Sequence, residues 1–160
     1  MFDASSASAF SFQREAFATV IDEARPMLAA QWIEAGQTEA GEFALADDRY
    51  LAMERVGALR IYTVRHHGVL VGYVSLFVFT GMHAAAKAGI SDALYVLPAF
   101  RRPMVSLRLM RHAEAALLAE GVTVIHMQVN ERFPGLGRLL EHMGYRPVSR
   151  TFTKVIDHAA

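Results

Sequence analysis

The stretch Ala93–Met110, ALYVLPAFRRPMVSLRLM, decides how this chain is read. Its apolar, β-favouring run Leu94–Leu97 stops at Pro98, which cannot donate to a strand ladder. Arg101 and Arg102 follow, and an amphipathic helix begins near Pro103. Positive charge and the unbonded N–H groups of a helix start therefore lie together just past a strand end. Such a place suits phosphate. Cations at a helix start oppose the helix dipole, so two in a row call for a compensating anion, which a bound phosphate would supply. The alternative is ordinary surface charge.

Downstream of that point the pattern is regular. From Pro103 to Glu120, Val105, Leu109, Ala113, Ala116 and Leu117 share one helical face, with Arg108, Arg111 and Glu114 on the other. Gly121 is a natural stop. Val122–Val129 then reads as a strand, which makes 90–129 a strand–helix–strand unit with its first strand at Ile90–Leu97. A shorter helix, Pro134–Met143, ends at Gly144, and Tyr145–Ile156 alternates in part and predicts a last β segment.

Upstream, Ala58–Arg65 and Val69–Phe79 flank the turn His66-His67-Gly68 and predict an antiparallel hairpin. The second of these strands is apolar enough to be buried on both faces. Thr80–Gly89 is a connection. Phe12–Gly36 reads as helical, with Phe17, Val20, Ile21 and Ala24 on one face, and Pro26 predicts a kink or a second helix. Glu34–Asp48 holds Glu34, Glu39, Glu42, Asp47 and Asp48, no cation and two glycines, and reads as a loop. A short helix follows over Asp48–Val56. Met1–Ser11 is small and polar and is expected to be frayed. The whole is a mixed α/β arrangement, expected to be one domain over 1–160.

Composition narrows the partners. The chain is 53% hydrophobic with a mean hydropathy of +0.22, yet its longest apolar run, Val69–Phe79, falls well short of the about 20 residues that span a bilayer. No basic leader with a cleavage-site pattern follows Met1, so a cytoplasmic location is expected and no membrane partner. Sixteen basic residues balance sixteen acidic ones, which disfavours nucleic acid. There is no cysteine, hence no disulfide, thiolate nucleophile or sulfur ligand. The 7 histidines show no metal-ligand spacing, and no metal is expected. Apolar composition with edge strands is compatible with a homodimer.

Two segments carry a family resemblance. Leu94-Tyr95-Val96-Leu97-Pro98-Ala99-Phe100-Arg101 resembles the fourth strand and its exit in the GNAT superfamily of acyl-CoA-dependent N-acyltransferases. Leu139-Leu140-Glu141-His142-Met143-Gly144-Tyr145-Arg146-Pro147-Val148 is similar to that family's late helix and the start of its final strands. Asp47-Asp48-Arg49-Tyr50-Leu51 resembles small GNATs of phages and prophages. The resemblance implies a central mixed, mostly antiparallel sheet flanked by helices. It implies acetyl-CoA as cofactor, its pantetheine arm pairing with the backbone of Leu94, Tyr95 and Val96. The loop Arg101, Arg102, Met104, Val105 and Ser106 would then wrap the pyrophosphate. The family loop runs Q/R-x-x-G-x-G/A. Here Met104 replaces the first glycine, Ser106 the small residue, and Pro103 lacks an N–H.

Transfer to an amine needs a base for the ammonium proton and an acid for the leaving thiolate. Asp92, at the start of the expected fourth strand, shares side-chain parity with Leu94 and Val96 and would have a raised pKa if buried. A solvated strand-edge aspartate is the other reading. His126 on the next strand is the competing base, against a satisfied structural histidine. His83 is a weaker candidate, and His66 and His67 are expected to be exposed at the hairpin turn. The family's late-helix tyrosine acid falls at Leu140 here. Tyr145 and Tyr95 are the nearby phenols, and the acid stays unassigned. The acidic loop over 34–48 could favour a cationic amine, small molecule or protein, or be solvated. Three function classes follow: an N-acetyltransferase acting by direct attack, a catalytically lapsed CoA-binding or protein-interaction module, and a purely structural partner protein.

Overall fold

The computed structural model describes residues 9–83 and 85–156. Five strands form one sheet in chain order: β1 (Phe10–Arg14), β2 (Leu59–His66), β3 (Val69–Thr80), β4 (Lys87–Val96) and β5 (Val124–His126). Neighbours are antiparallel except β4 and β5, which run parallel. Helices α1 (Phe17–Glu34), α2 (Asp47–Arg55), α3 (Pro103–Ala119) and α4 (Pro134–His142), with short 3-10 turns at Gln37–Ala40 and Pro98–Phe100, complete the described elements. The expected hairpin is β2–β3, and α3 is the crossover that a parallel β4–β5 pair requires.

The sheet separates two cores. On one face Val64, Val74, Leu76, Val78 and Val96 meet Val105, Leu109, Ala113 and Leu117 of α3. On the other, Leu59, Ile61, Tyr73 and Tyr95 meet Phe17, Val20, Ile21, Ala24 and Met27 of α1. β3 is buried on both faces, as its unbroken apolar run requires. Gly72 of β3 sits between Val64 of β2 and Val96 of β4: a Cβ there would stand 2.8 Å from Val64 and 2.9 Å from Val96.

Several expectations need correction. Phe10–Arg14 is a strand paired with β2, so neither fraying through Ser11 nor a helix from Phe12 holds. The period-2 placement of Phe10 and Phe12 packs both rings against the α3-side core, and the open edge of β2 supplies the ladder. Residues 1–8 lie outside the described residues. α1 is continuous through Pro26. Pro26 is exposed, so the carbonyl one turn earlier that it leaves without a donor can face water. β4 begins at Lys87, inside the expected connection.

β5 is shorter than Val122–Val129. It pairs only with Ala88, Gly89 and Ile90 and then leaves β4. Residues 145–156 form no strand. Val148 is 78% exposed and Phe152 90%, and alternation without burial does not offset the entropy of ordering the chain. His66 is half-buried between Phe10 and Phe100, with ring centroids at 4.7 and 5.1 Å, and only His67 is exposed at the turn.

Candidate active site

The sheet is irregular at one place. Ser75 pairs with Ala93 and Leu76 with Ser91, which leaves Asp92 as the extra residue of a β-bulge. The bulge breaks the side-chain alternation. Leu94 and Val96 join the α3-side core, whereas Asp92 lies on the α1 side with Tyr50 and Ser75. The parity expected from the sequence is therefore wrong, and Asp92 is exposed, as the solvated reading had it. Its Oδ2 accepts hydrogen bonds from the Tyr50 hydroxyl at 2.9 Å and the Ser75 hydroxyl at 3.0 Å.

Past the bulge, β4 and β5 separate. The last paired residues are Ile90 and His126, and the Gln128 amide then donates to Ser91 Oγ at 2.8 Å. The Leu97 amide bonds back to Val71, so Leu94 and Val96 turn their backbone groups toward the side that β5 has left. Two side chains reach those carbonyls: Gln31 Nε2 donates to Leu94 at 3.3 Å and Arg101 Nε to Val96 at 2.8 Å. The Tyr95 and Val96 side chains are buried, and the Tyr95 backbone faces Tyr73 of β3, so of these two only Val96 turns its backbone toward a ligand, a correction to the expectation for Tyr95. Leu94 is half-buried.

α3 begins at the mouth of this separation. Arg102 is its N-cap residue, with no side-chain capping bond, and Pro103 sits at its first position. Arg102 and Met104 are exposed, Ser106 is half-buried and Val105 is anchored in the core. Arg101 finds its compensating anion within the chain. Its guanidinium pairs with Glu34 Oε2 at 2.8 Å and lies 5.0 Å over the Tyr95 ring. The Tyr95 hydroxyl donates to Glu34 Oε1 at 2.8 Å. Burial pushes the Glu34 carboxyl up, but Tyr95 and Arg101 outweigh it and hold it below the ordinary glutamate value.

His126 sits on β5, exposed. Ile125 and Met127 pack on the α3 side, so alternation turns His126 to the same face as Asp92. Among the described residues no hydrogen bond joins the two. Leu140 is buried in the core. The Tyr145 hydroxyl donates to Glu114 at 2.6 Å, and burial with that carboxylate holds its pKa well above the ordinary tyrosine value. His83 lies in the β3–β4 connection, exposed. The acidic loop is partly neutralised: Glu34 pairs with Arg101 and Asp47 with Arg25.

Sequence reading missed Tyr50, Ser75 and Gln31 as site residues, and missed the pairing of Glu34 with Arg101 and Tyr95. All four act across long stretches of chain, and no local spacing signals that. Tyr73 ties Gln31 in place, donating its hydroxyl to Gln31 Oε1 at 2.8 Å.

This architecture recurs in solved structures. An aminoglycoside acetyltransferase, meta-AAC0020, from an uncultured soil metagenomic sample superposes with a TM-score of 0.71 at 10% identity, over 92% of this chain and 97% of that one. The ribosomal-protein-alanine N-acetyltransferase of Brucella melitensis biovar Abortus 2308 gives 0.66 at 17% identity, over 94% and 99%. Glucosamine-6-phosphate N-acetyltransferase of Arabidopsis thaliana gives 0.64 at 14% identity, over 92% and 99%. At these identities the likeness is one of fold. A comparison with curated protein sequences finds no significant match. The family model for acetyltransferases of the GNAT type matches residues 19–145, from α1 through the bulged β4 and α3 to the end of α4. The chain belongs to the acetyltransferase (GNAT) family.

Proposed function

We propose that this acetyltransferase moves an acetyl group from acetyl-CoA to a primary amine by direct attack, with Asp92 as the base. The observation that carries the reading is the bulge. It turns one carboxylate out of β4 on the α1 face, at the level where β4 and β5 separate. The β4 backbone at Leu94 and Val96, which faces the side that β5 has left, would take the pantetheine arm. The start of α3 would take the pyrophosphate through Arg101, Arg102, the Met104 amide and the Ser106 hydroxyl, since the Val105 and Ser106 amides donate to the Arg102 carbonyl.

Acetyl-CoA supplies the activated thioester. The amine nitrogen forms a bond to its carbonyl carbon, the carbon–sulfur bond breaks, and the thiolate leaves. Asp92 accepts the proton that the ammonium must lose, directly or through water. The thiolate takes its proton from solvent, since Tyr145 is committed to Glu114 and Tyr95 to Glu34. No cysteine is present to form an acyl-enzyme. Asp92 is favoured over His126 because two hydroxyls orient it, and His126 makes no side-chain hydrogen bond among the described residues.

Met104 in the phosphate loop and Arg101 held by Glu34 favour a second reading, a CoA-binding module without turnover. Calorimetric titration of acetyl-CoA followed by an amine-library screen for thiol release separates the two. Saturable binding with thiol release supports the enzyme, and binding with no release from any amine supports the module. No heat at millimolar acetyl-CoA defeats both.

A further inference from the structure

α2 has no fully buried residue, yet it is fixed to α1 at three points. Arg25 makes a two-pronged pair with Asp47 at 2.9 and 3.2 Å, at the first residue of α2. Near its end, Glu54 Oε1 accepts the Phe17 amide at 2.7 Å and so satisfies a free donor of α1. Between them the Tyr50 ring stacks on Phe17, centroids 5.2 Å apart and planes 3° from parallel, with Phe77 at 6.2 Å on the sheet side. The braces leave Tyr50 little rotational freedom and deliver its hydroxyl to Asp92 Oδ2.

The carboxylate needs such help. Asp92 lies on a bulge, is exposed, and pairs with no cation among the described residues. Left alone it would turn about its side-chain bonds in water. Tyr50 from α2 and Ser75 from β3 approach the same oxygen from two elements, and Oδ1 is left as the oxygen open to an arriving group. Tyr50, Ser75 and Asp92 also border a small cavity of about 30 Å³ walled by Phe17, Val20 and Ile21.

We infer that Tyr50 is a positioning residue: with Ser75 it clamps Asp92 Oδ2 so that Oδ1 faces the acceptor ammonium. The inference rests on the reading of Asp92 as the base. Burial and the neighbouring carboxylate hold the Tyr50 phenol well above the ordinary tyrosine value, so it remains a donor wherever Asp92 is ionised. Tyr50 touches neither substrate and acts only through the carboxylate. This places α2 in the catalytic framework, although the helix contributes no group to the reaction.

A double-mutant cycle tests the inference. Tyr50→Phe keeps the ring on Phe17 and removes only the hydroxyl, and Ser75→Ala removes the second donor. Each should lower kcat about tenfold or more, the scale of one hydrogen bond to a charged group. The KM for acetyl-CoA and the melting temperature should stay at wild-type values. On an Asp92→Asn background, Tyr50→Phe should cost nothing further. An equal loss from Tyr50→Phe on both backgrounds would overturn the inference while leaving Asp92 as base. Wild-type kcat in Tyr50→Phe would do the same. Wild-type kcat in Asp92→Asn would remove the base reading itself and the inference with it.

Discussion

The two arginines that mark the start of α3 have different surroundings. Arg101 is bound by Glu34, Tyr95 and the Val96 carbonyl, whereas Arg102 is an exposed N-cap residue without a capping bond. Arg102→Ala should therefore raise the dissociation constant for acetyl-CoA about three- to tenfold, the effect falling as salt is added. Calorimetry at two ionic strengths checks both. Sequence alone identified both arginines but could not tell them apart, because Glu34 is distant in sequence. The same holds for Asp92. Its identity as a candidate was legible, but its orientation was not. One inserted residue reverses the face of everything before it, and nothing in GISDALYV spells out the bulge.

Elements with a strong period were readable. β2, β3 and α3 carry runs whose repeat of two or 3.6 is unambiguous, and their observed bounds agree to within a few residues. Elements held by partners far away were not. FSFQR is too short to declare itself a strand and needs the edge of β2 to become one. Residues 145–156 have β-favouring composition but find no partner strand here. The β3–β4 seam shows how tightly such pairing constrains sequence. Gly72→Ala would press a Cβ to 3.0 Å from the Tyr95 carbonyl, beside the contacts with Val64 and Val96. It should destabilise the fold by about 1–3 kcal/mol, read as a lower midpoint in a urea titration with an unchanged slope.

At the scale of the whole molecule, zero net charge conceals carboxylates that join distant parts. Glu15 and Glu23 grip Arg65 and so tie β2 to the start of the chain and to α1. Glu120 grips Arg60 and Arg14, and Glu34 grips Arg101. Burial opposes ionisation of Glu15, but bonds from Thr63, Arg65 and Gln13 reverse the balance. The bond from Arg60 dominates at Glu120. All three of Glu15, Glu34 and Glu120 lie below the ordinary value of 4.5. Their stabilisation is complete above that value and disappears as pH falls through the lower folded-state values. Thermal melts should be level through neutral pH and fall steeply below about pH 4.5. Glu15→Gln should flatten that acid limb.

The central claim is that Asp92 takes the proton when an amine attacks acetyl-CoA on this sheet. Thiol release under saturating acetyl-CoA, with an amine found by the library screen, tests it in one comparison of wild type with Asp92→Asn. The rate in the variant should be at least about a hundredfold lower, the usual contribution of a general base. Release at the wild-type rate from Asp92→Asn would contradict it.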